Sequence, residues 1–139
     1  MGALAGCGGN TGSGSVSGSD ASAGGSSSGE NVIKIGVFEP ATGDSASGGK
    51  KEMRGRQEAN RETPAVGIGG ETDKVERVYS DNGSDSAKAV SAASKLVNEK
   101  VSIVLGSYGA GVSIAASDTF KQAGIPAVGV TCTNPNVTA

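Results

Sequence analysis

The 139-residue chain has a net charge of −2, no histidine, no tryptophan and two cysteines. No basic cluster offers nucleic acid an electrostatic footprint, and no apolar run approaches the roughly 20 residues of a membrane-spanning helix. Without histidine, His-dependent catalytic triads and the common His-containing zinc sites are excluded, and Cys7 with Cys132 makes no disulfide framework.

Residues 1–30 are mostly glycine and serine, with Leu4 and Val16 the only branched apolar side chains. Such a segment buries too little surface to offset its ordering entropy, so a disordered tether is expected. As a flexible coil, about 23 residues span roughly 25–29 Å root-mean-square. Leu4-Ala5-Gly6-Cys7 places small residues ahead of a cysteine, the pattern that a lipoprotein signal peptidase cleaves. Cys7 is therefore the expected lipidation site. A secretory leader needs a basic start and an apolar stretch of roughly 7–15 residues. Met1–Gly6 is too short for that, so the start of the leader is expected upstream of Met1.

After Glu30 the texture changes. Val32 to Phe38 is a β-branched run closed by Glu39-Pro40, and it reads as the first strand. Ala41 to Gly49 is a loop, and Lys50 to Arg61 has the composition of a helix that Pro64 ends. Arg54 and Glu58 stand four apart there, a spacing that allows an ion pair. Gly67 to Gly70 predicts a turn, and Lys74 to Ser80 a second strand whose charges place it toward the sheet edge. Ser84 is the expected N-cap of the next helix, with Asp85 in its first turn. Ala89, Ala93, Leu96 and Val97 form the buried stripe of that helix. Val101 to Leu105 is a third strand, Gly111 to Ala123 a third helix stopped by Gly124, and Ile125 to Val130 a fourth strand.

Strands alternating with amphipathic helices predict an α/β fold, a parallel sheet with helices on both faces. The last strand has no helix after it, which leaves part of one face bare and makes residues 31–139 an incomplete lobe. In such sheets ligands bind beyond the carboxyl ends of the strands, where strand order reverses. With order 2-1-3-4, the loops meeting at that point are Pro40–Lys50, Gly106–Gly111 and Thr131–Pro135, all rich in Gly, Ser or Thr. Ser107, Tyr108, Gly109 and Ala110 lead into a helix whose first N–H groups have no intrahelical partner, which suits an anion such as a carboxylate. Thr131 and Thr133 add hydroxyls from the adjacent strand end.

Other chemistries find less support. The glycine spacing from Gly106 to Gly111 is neither a dinucleotide fingerprint nor a P-loop. No base is at hand to activate Ser107, Ser113 or Cys132, so a binding role rather than catalysis is expected. Asp81-Asn82-Gly83-Ser84-Asp85 lacks the spacing and closing glutamate of a calcium loop and reads as a turn with a cap. No cofactor or metal is expected.

Ile33 to Asp44 resembles the opening strand and loop of the branched-chain amino-acid-binding (leucine/isoleucine/valine-binding) proteins of ABC importers. Gly55, Ala59 and Asn60 fit that pattern, as do Val78 to Asn82, Val104 to Tyr108, Gly124 to Gly129 and Thr131 to Pro135. The resemblance covers about residues 31–138 and implies the N-terminal lobe of a two-lobed, type I periplasmic-binding receptor that closes on an amino acid by hinge motion. It implies that Thr133 contacts the ligand's ammonium and carboxylate region and that the Thr131 backbone accepts a hydrogen bond. Ala110 stands where relatives often carry a serine, leaving a backbone N–H with Ser107 or Ser113 as substitutes. Gly48 aligns with an aromatic wall of the ligand pocket, and Arg56, Glu58 and Arg77 with apolar packing positions. The implied protein is a monomeric, extracytoplasmic receptor, held to a bacterial cell membrane by lipid alone and delivering its ligand to permease subunits. A same-fold receptor for an amide, a urea-like solute or an aromatic acid is the alternative, with a flavodoxin-like signalling or enzyme domain behind it.

Overall fold

A computed structural model describes residues 31–138. The tether and Cys7 lie outside the described residues. Strand β1 (Val32–Glu39) is followed by helix α1 (Ala46–Glu62), strands β2 (Ala65–Ile68) and β3 (Glu71–Asp81), and helix α2 (Ser86–Asn98). Strand β4 (Ile103–Leu105), helix α3 (Ala110–Gln122), strand β5 (Ala127–Val128) and a 3₁₀ turn (Pro135–Thr138) complete it. The sheet order is β2-β3-β1-β4-β5. β1 pairs in parallel with β3 on one side, from Val32↔Lys74 to Glu39↔Asp81, and with β4 on the other. Strand order therefore reverses beside β1, as the sequence predicts.

The sheet is mixed rather than all parallel. β2 runs antiparallel to β3, with Ile68 opposite Glu71 and only Gly69 and Gly70 between them. Both glycines have positive φ, 62° and 90°, the backbone that a two-residue hairpin with primed-turn twist requires. The expected turn is therefore the tip of a hairpin, and it carries an edge strand with it. Boundaries move elsewhere too. α1 begins at Ala46, four residues before the expected Lys50, and β5 keeps only Ala127 and Val128 of the expected fourth strand. Ser84 does not cap α2: it sits at φ 56°, and Asp85 takes the cap, accepting from the Lys88 N–H at 2.8 Å. Gly124 ends α3 at φ 68° as expected.

Alternation along β1 divides the core. Gly36 and Phe38 face α2 and α3, whereas Ile35 and Val37 face α1. On the first side Phe38, Leu96, Val104, Ala93 and Ala116 are buried, and the Phe38 and Phe120 rings meet edge to face at 5.6 Å. Phe38→Ala is expected to cost about 3–5 kcal/mol, the transfer loss plus an unfilled cavity; a shift in denaturant midpoint of the full-length protein measures it. On the other side coverage is partial. Ile35, Val37, Ala59, Val66, Val75 and Leu105 line an apolar depression of about 220 Å³ beside α1, and Val128 and Val130 are half exposed. Two helices, α2 and α3, cover the first side and α1 alone the second, so the sparse coverage lies on the α1 face.

Candidate functional site

The carboxyl ends of β1, β3, β4 and β5 meet at one rim, and side-chain hydrogen bonds fix their loops to each other. Asn82, at the end of β3, is fully buried. Its Nδ2 donates to Ser107 Oγ at 3.0 Å, and its Oδ1 accepts from the Ser84 N–H at 3.1 Å. Asp81 clamps the loop after β1. Its carboxylate accepts from the backbone N–H groups of Ala41, Thr42 and Gly83 and, at 2.6 Å, from the Thr42 hydroxyl. Desolvation pushes the Asp81 pKa up, but the Thr42 hydroxyl and the three N–H donors outweigh it and hold the group below its usual range. The turn-and-cap reading of Asp81 to Asp85 stands, and no metal-binding cluster occurs among the described residues.

At the end of β4, Gly106 has φ 129° and lets the chain turn across β1. The Ser107 N–H donates to Ser113 Oγ at 3.2 Å, Ser113 Oγ contacts Cys132 Sγ at 3.2 Å, and that thiol donates to the Ser107 carbonyl at 3.4 Å. The loop after β4 and the loop after β5 are thus in direct contact. Ser45, Ser84, Ser86, Gly109 and Gly111 surround a depression of about 160 Å³, where the starts of α1, α2 and α3 come together. No side chain caps α1 or α3. In α1 the Ala46 N–H already donates to the Gly43 carbonyl and the Gly48 N–H to the Ser45 carbonyl, so the N–H groups left for a ligand are those at the start of α3, where the helix dipole adds positive potential.

The expected residues divide over this rim. Gly109 borders the depression and Ala110 opens α3 beside it. Tyr108 is exposed. Ser107 is fully buried and spends its hydroxyl on Asn82 and on the Gly109 N–H, so its side chain supports the loop from beneath instead of facing the rim. Thr131 donates to Glu52 Oε1 at 2.8 Å. Thr133 lines a neighbouring concavity of about 320 Å³ with Cys132 and Asn134, not the depression at the helix starts.

A charged network beneath the rim has no counterpart in the sequence reading. Glu39 has a fully buried side chain and its Oε2 accepts from the Tyr108 N–H at 2.8 Å. Its Oε1 lies 2.6 Å from Arg56 Nη2, a charge contact rather than an aligned hydrogen bond. Arg56 also bonds Glu52 at 3.2 Å, and Glu52 takes the Thr131 hydroxyl. Arg56 therefore does not spoil an apolar packing position; it is the counterion of a buried strand-end carboxylate. Likewise Glu58 pairs with Arg61, not with Arg54, and Arg77 lies over the Tyr79 ring at 5.6 Å. Two signals were available: a glutamate ending an apolar parallel strand, and Glu52 four residues before Arg56.

Burial raises the Glu39 pKa from 4.5 to about 7; a hydrogen bond to the Glu52 carboxyl adds to the rise, and Arg56 and the Tyr108 N–H oppose it. One guanidinium between two carboxyls leaves a negative charge without a partner, so retaining a proton relieves the site. Between pH 4.5 and about 7 the native state holds a proton that the unfolded chain has released. The stabilisation is complete below the unfolded value and is lost as pH rises through about 7, on the order of 3 kcal/mol in all. Thermal melts should show Tm falling over that window, and Glu39→Gln should flatten the fall. Equal slopes in the two proteins would show that Glu39 titrates elsewhere.

Residues 32–139 match the family described as periplasmic binding protein. The chain belongs to the periplasmic binding protein family. A Leu/Ile/Val-binding protein homolog of Brucella abortus is 35% identical over 106 residues, 76% of this chain and 28% of that protein. The branched-chain amino acid transporter substrate binding protein of Streptococcus pneumoniae, solved in complex with isoleucine, superposes with a TM-score of 0.68 at 32% identity. That match covers 78% of this chain and 31% of the other. A solute binding protein of an ABC transporter from R. palustris, solved in complex with 4-hydroxybenzoate, gives 0.67 at 27% identity, over 78% and 29% of the two chains. The chain thus spans under a third of the length of these relatives. Its fold is the corresponding part of the type I periplasmic-binding architecture, a partial N-terminal lobe.

Proposed function

We propose that residues 31–139 are the N-terminal lobe of an extracytoplasmic receptor that binds an amino acid and delivers it to the permease subunits of an ABC importer. The observation that carries this reading is the rim itself. The loops after β1 and β4 are both bonded to the end of β3, the loops after β4 and β5 to each other, and the starts of three helices ring a small depression. A zwitterion withdrawn from water must have its charges met. Uncapped N–H groups of α3 at Ala110 and Gly111 suit the carboxylate. Thr133 lines the adjoining concavity, with Thr131 just before it in the chain, and a ligand that spans both hollows could draw oxygen acceptors for its ammonium from there. A second lobe completes the cage, and ligand favours the closed state through its greater affinity for it. The role is binding, with no catalytic step, and the receptor works as a monomer.

Similarity to a protein solved with isoleucine favours a branched-chain amino acid. The similarity to a 4-hydroxybenzoate-binding protein supports an aromatic acid as the second reading, since it presents the same carboxylate to the same amides. Calorimetry on the full-length protein with both panels decides between them: heat with aliphatic amino acids supports the first, heat only with benzoates the second, and heat with neither removes the assignment. Membrane attachment through a lipid on Cys7, with residues 8–30 as tether, follows from the small residues ahead of that cysteine. Cys7→Ser is expected to move the protein from the membrane fraction to the soluble fraction; unchanged partition would exclude the anchor.

A further inference from the structure

A ring from the β4–α3 loop occupies the space that a side chain at position 48 would need. Gly48 is buried in the first turn of α1. A Cβ built there would fall within 2.5 Å of Tyr108 Cε1, Cε2 and Cζ together. Near-equal distances to three atoms of one ring put that Cβ close to the axis through the ring centre. The Tyr108 ring therefore lies flat on the Gly48 backbone, with one face covered. The residue is still 43% exposed, which leaves the other face open at the rim. Its backbone is pinned as well, because the Tyr108 N–H donates to the buried Glu39 carboxyl at 2.8 Å. An aromatic ring backed by α1, two residues before the first residue of α3, offers an apolar surface close to that helix start.

We propose that Tyr108, seated on Gly48, is the specificity-determining wall for the side chain of the bound amino acid, supplied from the β4–α3 loop. This inference rests on the amino-acid reading above. Gly48 is a positioning residue: a methyl there displaces the ring. The ring can swing away because it hangs on a rotatable side chain, so Gly48→Ala is expected to fold. Aromatic faces suit apolar side chains of some size, and each methylene placed against such a wall discriminates about 10-fold or more.

The test is calorimetry on the full-length protein with leucine and with alanine, in the unmodified chain and in Tyr108→Ala, Tyr108→Phe and Gly48→Ala. The expected result is a drop of about 10-fold or more in the leucine-to-alanine affinity ratio for Tyr108→Ala and Gly48→Ala. Tyr108→Phe should keep the ratio, since the ring and not its hydroxyl is the wall. A parallel loss for both ligands, or an unchanged ratio in Tyr108→Ala, overturns the inference while leaving the amino-acid reading intact. No binding of either ligand by the unmodified protein overturns both together. Thermal melts of Gly48→Ala alone and in the Tyr108→Ala background give a ligand-free check. The stability cost of the new methyl should shrink once the ring is gone, and a cost that persists means the ring does not sit on Gly48.

Discussion

Arg56→Met in the full-length protein is expected to destabilise the lobe by about 3–5 kcal/mol, although the new side chain has similar reach and no polar atom to satisfy. The loss comes from what is left behind. Glu39 has no exposed side-chain surface and Glu52 keeps only 11%. Without the guanidinium these two carboxyls face each other in a site that water does not screen. A buried charge deprived of its partner costs far more than the intact pair contributes. The protein's one escape is to hold the proton on Glu39 more tightly, so the destabilisation should be larger at pH 8 than at pH 5. The double variant Glu39→Gln with Arg56→Met removes both charges and should recover most of the loss, because the amide oxygen of the introduced glutamine would still accept the Tyr108 N–H. Denaturant midpoints at the two pH values measure all of this. An Arg56→Met protein within about 1 kcal/mol of the unmodified one would mean that the network is solvated and carries little weight.

The network also explains which parts of this molecule the sequence discloses. Strands β1 and β3, the stripe of α2 and the stop at Gly124 all rest on local pattern, and each is found close to where the pattern puts it. The convergence of the three rim loops is legible for the same reason, since strand order and glycine content are enough to place it. What escapes is long-range or locally ambiguous. Thr131 meets Glu52 across 79 positions and Tyr108 meets Glu39 across 69, distances over which no periodicity carries information. β2 has four residues, one of them glycine, and gains its identity only by lying against β3. Ser84 and Asp85 are both good caps by composition; the choice falls to the backbone, which turns through Gly83 at φ 61° and Ser84 at φ 56° before α2 can begin. The seating of the Tyr108 ring over Gly48 is likewise a long-range contact that no local pattern announces.

Gly106→Ala should be severely damaging, and for a reason opposite to that at Gly48. At Gly48 the obstructing atoms belong to a ring that can move aside. At Gly106 a Cβ would run into the Phe38 carbonyl oxygen, with the Phe38 carbonyl carbon at 2.9 Å and Glu39 Oε1 at 2.7 Å. The first two are main-chain atoms in the middle of the sheet, where β1 is paired on both sides. The φ of 129° adds strain that a side chain does not tolerate, of order 1–3 kcal/mol before any clash is counted. The alternative is for the β4–α3 loop to lift away from β1, which breaks the Tyr108–Glu39 and Asn82–Ser107 bonds together. A loss of about 3 kcal/mol or more is therefore expected in denaturant unfolding. The functional signature should differ in kind from that of Gly48→Ala. A lifted loop withdraws the amides at the start of α3 from every solute alike, so affinity for leucine and alanine should fall in step. If Gly106→Ala instead proved stable and changed only the ratio between them, the loop would be pliable, and the rim would owe its shape to the ligand rather than to β1.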